Sequence, residues 1–421
     1  MAGRQGISWT VLAVLLAGCN RTAPEFRPYL TPRRAVAMES NGYADYIAAA
    51  QSVESKSNAL DLQNPKAPAK LLDRTAYDGP AQKAALAMCE DAIKLIRGAA
   101  SKRFEWDYVP VGPFSAPPYA KGWRLIGRCM AWKIQKAVNA GDDASAINWF
   151  GIATTYGFRL TQGGTSEASL GLVIANEARQ AIVPRLPAMS PEALRKLADT
   201  TVKCLEAKGT LENAMAHEGD NMIAAVDYIQ EQYQKNDLGP VLTELGPPSR
   251  EAVTFLQELN PNSPKRKEYF DGFAAEAQDE EKLIYACARK SGEARTKLYA
   301  ERDEQLKKAS WRPWKRFSMS FFSAGRSLLS MNDECLARTR LLGLEALLRA
   351  EVIVNKTAPA SLGGLPTALR QDPYTGKPFF YRVDGRTYHI YSAGENFKDD
   401  AGLSDDSDTS PDLLLEKVDK K

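Results

Sequence analysis

Apolar residues recur at helical spacing through Trp123 to Pro184, and the rest of the chain is organised around this stretch. Trp123, Ile126, Met130, Ile134, Ala137 and Val138 share one helical face. Asn139 to Asp143 breaks that period, because Gly141 frees φ and an Asp can cap the next helix. Ile147, Phe150, Gly151, Thr154 and Phe158 resume it until Gln162-Gly163-Gly164-Thr165. Leu170, Val173, Ile174, Ala178, Ala181 and Ile182 form a third stripe, which Pro184 closes. Short breaks turn neighbouring helices antiparallel, so the pattern predicts a mainly α protein, an antiparallel helical array with one shared core. Gly127 and Gly151 lie on or beside the first two stripes, where a missing side chain permits close helix contact.

The flanking sequence extends the array. A short helix follows Asn41-Gly42 through Tyr43, Tyr46, Ile47 and Ala50, and a clearer one spans 80–101 with Leu86, Cys89, Ile93 and Ile96 inside. Residues 104–119 hold too many prolines for a helix and read as an extended aromatic stretch packed over the array. Ser190-Pro191 starts another helix with Leu194, Leu197, Ala198, Thr201 and Leu205 inside. A further helix runs from Leu211 to about Gln234, and 237–249 and 260–264 are linkers. Gln278 to Lys308 is a charged helix, acidic first and basic last, as suits the helix dipole. Trp311 to Phe322 reads as a basic, aromatic connector, and Asn332-Asp333 as the cap of a last helix reaching about Val354. The spacing of Trp123, Ile126, Gly127 and Met130 approximates the opening of a tetratricopeptide unit, but Asn139 and Asp143 break the match. The array is therefore repeat-like in architecture and not in sequence.

Past Leu362 the period shortens. Asp372 to Pro378 is turn chemistry, and Phe379–Val383 and Thr387–Ser392 read as strands joined at Asp384-Gly385. A lone hairpin is marginal in water, so this cassette must dock, with Tyr388 and Ile390 on one face and His389 and Tyr391 on the other.

The first residues change the picture from a globular protein to an anchored one. Arg4 precedes an apolar run, Trp9 to Leu16, too short to span a bilayer, which ends in Leu16-Ala17-Gly18-Cys19. That ending resembles the bacterial lipobox, which implies lipidation of Cys19 by diacylglycerol and fatty acyl chains such as palmitate. Asn20 in place of Asp then favours the outer membrane over the inner, with the protein on the periplasmic face. The expected organisation is a signal peptide over 1–18, a tether over 19–40 and the array over 41–357. The cassette covers 358–402 and an acidic tail 403–421.

Candidate chemistry is sparse. A net charge of +3 over 421 residues points away from nucleic acid. The five cysteines after Cys19 form no CxxC pair and read as buried thiols. His217-Glu218 lacks the second His of a zinc-protease helix, since Asn221 stands there. No cofactor is expected. Asp399, Asp400 and Asp405 offer oxygen ligands that suit calcium, though not at the spacing of an EF-hand loop.

Asp372-Pro373, Gly376, Pro378, Tyr381, Tyr388, Tyr391-Ser392, Gly394 and the Asp399-Asp400-Ala401-Gly402 ending resemble the C-terminal strands of the major pseudopilin of type II secretion. In that pseudopilin the loop after the last strands binds calcium. With a helical array in front, the chain looks like a family of uncharacterised exported bacterial lipoproteins. The expected function is a non-catalytic, membrane-anchored interaction or scaffold protein of the cell envelope, held by lipidated Cys19 and binding an envelope protein. The alternatives are a secretion-associated accessory protein and an envelope hydrolase using the aromatic stretch as its cleft.

Overall fold

The computed structural model describes residues 41–63, 80–105, 119–218, 232, 235, 263–308, 313–384, 386–402 and 412–415. It is mainly helical with one small antiparallel hairpin. The helices are α1 (Gly42–Gln63), α2 (Pro80–Gly98), α3 (Ala120–Asn139), α4 (Asp143–Leu160), α5 (Thr165–Ile182) and α6 (Pro191–Ala207). They continue as α7 (Arg266–Cys287), α8 (Gly292–Lys308), α9 (Pro313–Asn355) and the single turn α10 (Thr367–Arg370). The hairpin pairs β1 (Phe380–Asp384) with β2 (Thr387–Tyr391), Phe380 opposite Tyr391 and Asp384 opposite Thr387.

The three central stripes form the core as their spacing requires. Trp123, Ile126, Met130, Ile134, Ile147, Phe150 and Phe158 are all essentially inaccessible to solvent. Asp142 caps α4 by accepting from Ser145 N at 3.0 Å, and Ser190 caps α6 by accepting from Ala193 N. Gly141 makes the turn before α4 with φ +72°. On α5 Ile174, Ala178, Ala181 and Ile182 are buried as expected, but the buried face is slightly rotated: Leu172 and Ala175 join it, whereas Leu170 and Val173 are half-exposed. The rotation is set by the contact with α4. Gly157 and Gly171 face each other there, and a Cβ on either would lie far inside the van der Waals surface of the other's carbonyl oxygen. Gly127 meets the Ile174 side chain and Gly151 the Thr200 methyl, so those glycines also stand at helix contacts.

Buried aromatics bind the first helices to the centre. Trp123 Nε1 donates to Tyr46 O at 2.8 Å, and Tyr156 Oη donates to Trp123 O at 3.3 Å. Arg159 on α4 donates to Ala99 O at 3.0 Å and Ala100 O at 2.5 Å, satisfying carbonyls left open where α2 ends. The same cation lies favourably against the negative end of the α2 dipole.

Four boundaries differ from the sequence expectation. α1 continues through Gln63, well past Ala50. The charged stretch is two helices, broken at Ala288–Ser291, where Ser291 Oγ caps the second by accepting from Ala294 N. The connector beginning at Trp311 is helical from Pro313 onward, so α9 runs straight through Asn332-Asp333. Those two residues are not a cap, because Asp333 is buried and pairs with Arg295 of α8. A buried carboxylate with a cationic partner is stable inside a helix, and sequence alone cannot tell it from a capping Asp. Finally, Asp412–Leu415 of the acidic tail lies on the fold: Leu413 pairs with Ser392 beyond the end of β2.

The cassette docks as its marginal size demands. Phe379, Ile390, Leu369, Tyr374 and Leu362 close a second hydrophobic cluster over Ala337, Leu341, Leu344 and Leu348 of α9. Its turn also caps α8: Gly292 N donates to Pro373 O at 3.1 Å and Glu293 N to Tyr374 O at 2.8 Å. Among the described residues, no helix is long and apolar enough to cross a membrane.

Candidate functional site

Among the described residues, two gatherings of buried polar groups bear on function. The first is at the N-terminus of α5. Gly163-Gly164 turns the chain into the helix, leaving Thr165 and Glu167 in its first turn, where carboxylates are favoured by the dipole. Thr165 Oγ1 donates to Glu218 Oε2 at 2.9 Å, and Tyr43 Oη approaches Glu167 Oε1 at 3.5 Å and Tyr119 Oη at 3.1 Å. Glu167, His217 and Glu218 are all buried. Burial pushes the Glu218 carboxyl up to about 7, against the opposing Thr165 hydrogen bond. A carboxylic acid kept neutral near neutral pH can donate a proton, which is what a general acid requires.

The expected aromatic stretch is described only at Phe104, Glu105 and Tyr119, the rest of it lying outside the described residues. Phe104 packs edge-on against Tyr43 and Tyr46. Tyr119 packs tilted against Trp123 with ring centroids 4.3 Å apart. The described aromatics are thus part of the core of the array.

Because the folded Glu218 carboxyl titrates above its ordinary value, its contribution to stability is complete below about pH 4.5 and is lost as pH rises through about 7. We expect Glu218→Gln to remove a pH-dependent loss on the order of 2–3 kcal/mol over that interval. Chemical denaturation of wild type and variant at pH 4.5 and pH 8 measures it. Parallel pH dependences would place Glu218 in contact with water.

The second place is the junction of cassette, array and tail. Asp372 is buried and accepts from Tyr374 N at 3.0 Å, Ser392 Oγ at 2.9 Å and Ala393 N at 3.1 Å. It thereby fixes the turn before β1 to the end of β2. Beside it runs Asp412–Leu415, strand-like at Leu413 and bending at Leu415. Ser392 N donates to Leu413 O at 3.0 Å and Leu413 N to Ser392 O at 2.9 Å. Arg338 Nη1 of α9 donates to the carbonyls of Leu414 and Leu415 at 3.1 and 3.2 Å. Arg179 Nη1 of α5 donates to Leu415 O at 2.9 Å. Asp412 Oδ2 accepts from Gly402 N at 2.7 Å. Leu413 packs on the cassette cluster, and Leu415 on both that cluster and the main core. Arg179 and Arg338 gave no signal in the sequence, where each is one cation on an amphipathic helix.

The residues singled out for metal are engaged in protein contacts. Asp399 accepts from Arg382 Nη2 at 2.9 Å and from Tyr391 Oη at 2.8 Å. These partners, with the Ala401 N–H, hold its carboxyl below the usual range in spite of some desolvation. Asp400 accepts from Asn396 Nδ2 at 2.7 Å. Asp405 lies outside the described residues, as does Cys19 with the whole signal and tether. Among the described residues no three His, Cys, Asp or Glu side chains gather in a metal-binding group. Cys89, Cys129, Cys204, Cys287 and Cys335 are buried free thiols, and burial pushes Cys204 and Cys335 up to about 11. Such thiols pack as small apolar groups and are poor nucleophiles.

Compared with known proteins, the chain matches no protein-family model, no curated protein and no solved structure.

Proposed function

We propose that this protein is a lipid-anchored scaffold of the bacterial cell envelope, non-catalytic, which holds a partner protein through an extended segment. The observation that supports the reading is the seat of Asp412–Leu415. There an extended stretch is held between array and cassette chiefly through its own main chain, by a strand bridge and two arginines. Docking through main-chain hydrogen bonds, with side-chain pockets for selectivity, is a recurring way to bind extended polypeptide. The anchor comes from the lipobox-like Leu16-Ala17-Gly18-Cys19, which favours the periplasmic face of the outer membrane. The resemblance of the cassette residues to pseudopilin strands supports a secretion-associated accessory role as the second reading.

Fractionation tests the anchor. Cys19→Ala is expected to move the protein out of membranes or leave it as an uncleaved precursor, and processed, membrane-bound variant would overturn the lipoprotein reading. A photo-crosslinker at Lys398 on the cassette should capture an envelope protein in cells, and one at Lys94 on α2 should not. Equal capture at both positions would argue against a docking face at the cassette.

An envelope hydrolase has one observation in its favour, the buried Glu218 carboxyl, pushed up to about 7, beside Thr165. Glu218→Gln would then abolish a hydrolytic activity that Gly98→Ala leaves unchanged.

A further inference from the structure

The Asp412–Leu415 seat has the make-up of a ligand site that the chain fills with its own tail. We propose that it is a groove for an extended acidic-leucine segment of a partner protein, and that the tail is its intramolecular competitor. This rests on the scaffold reading and names the partner's chemistry.

The contacts divide into two kinds. The bridge from Ser392 and the donors Arg179 and Arg338 take up backbone carbonyls and one N–H, so they accept any extended chain. Selectivity comes from the side chains. Asp412 accepts the Gly402 N–H, which calls for a side-chain acceptor, here a carboxylate, at the first position. Leu413 and Leu415 pack on the apolar clusters, which calls for leucine-like residues at the second and fourth positions. Alternation is what an extended segment provides, since successive side chains point to opposite faces. The third position, Leu414, is half-exposed and is not among the residues packed on either cluster. The motif is therefore acidic, leucine, any residue, leucine.

Residues 403–411 join the tail to Gly402, so the tail competes at the millimolar effective concentration typical of a short connection. A partner binds well only when it outcompetes the tail or when the tail is drawn away. Two cations directed at the carbonyls at the end of the segment also favour a partner with further acidic residues just beyond it, as Glu416 follows here.

The probe is a fluorescein-labelled peptide of residues 410–417, Ser-Pro-Asp-Leu-Leu-Leu-Glu-Lys, followed by anisotropy. The chain ending at Gly402 should bind it at least about tenfold more tightly than the full chain. Arg338→Ala in the shortened chain should weaken binding by about tenfold or more, which is about 1.4 kcal/mol. A peptide with aspartate at both the Leu413 and Leu415 positions should not bind. If the shortened chain does not melt cooperatively, the full chain carrying Leu413→Asp and Leu415→Asp replaces it, with the same expectation. Equal affinity of full and tail-released chains, or no binding by a folded tail-released chain, overturns the proposal. A dimer of the full chain that shortening abolishes also overturns it, since the groove would then take the tail of a second copy. Crosslinking at Lys398 in cells is independent of this peptide, so the scaffold reading can survive failure of the motif.

Discussion

Truncation after Val354 is expected to lower the melting temperature by about 10 °C or more. It removes Leu362, Leu369, Tyr374, Phe379 and Ile390 from the cluster they form with α9. Leu341, Leu344 and Leu348, each fully buried in the whole chain, would then face water. Each is worth roughly 1.5–3 kcal/mol of burial, so even partial exposure of three exceeds the loss from a typical point mutation. The shortened chain also loses the Pro373 and Tyr374 carbonyls that cap α8. For a chain of this size about 1 kcal/mol corresponds to a few degrees. Truncation after Gly402 should have a smaller but measurable effect. It removes the Leu413 bridge, the arginine contacts and Leu415, so the tail is not thermally silent. Differential scanning calorimetry of the three chains gives the order. Equal melting of the full chain and the Val354 truncation would mean that the cassette hangs free of α9.

Gly171→Ala is expected to cost about 3 kcal/mol, a large effect for a single added methyl. The new Cβ would press on the Gly157 carbonyl oxygen and lie 3.0 Å from Leu160 Cβ. Backbone cannot rotate aside, so α4 and α5 must separate, and overpacking costs in this range are about 1–3 kcal/mol. Gly127→Ala meets the Ile174 side chain at 2.6 Å, a group with other rotamers, and should cost less, about 1 kcal/mol. Gly98→Ala meets nothing within 4 Å. It should be neutral or stabilising by about 0.5–1 kcal/mol through helix propensity. Urea denaturation of the three variants checks the ranking. If Gly171→Ala and Gly98→Ala unfold alike, the α4–α5 contact is looser than the backbone geometry requires.

The sequence by itself determined the helical class, the three central helices with an Asp cap before the second, the Ser190 cap of the helix that follows them, and the hairpin with its need to dock. Each of these follows from a local rule: apolar spacing, a hydroxyl or carboxylate before a helix, or alternation around a turn. It did not determine how the elements meet. The two close-contact glycines it singled out, Gly127 and Gly151, touch side chains, whereas Gly157 and Gly171 approach each other's backbone and Gly122 that of Ala50. Asp333 read as a cap and is the buried partner of Arg295, because a carboxylate satisfies either role and only the fold supplies the cation. Asp399 and Asp400 read in the sequence as oxygen ligands, and only the fold shows their contacts with Arg382, Tyr391 and Asn396. The seat of Asp412–Leu415 was the least legible feature. It is built from α5, α9 and the end of β2, each more than 20 residues from the tail. Local periodicity carries no information about which distant carbonyl an arginine will meet, so tertiary structure alone decided it.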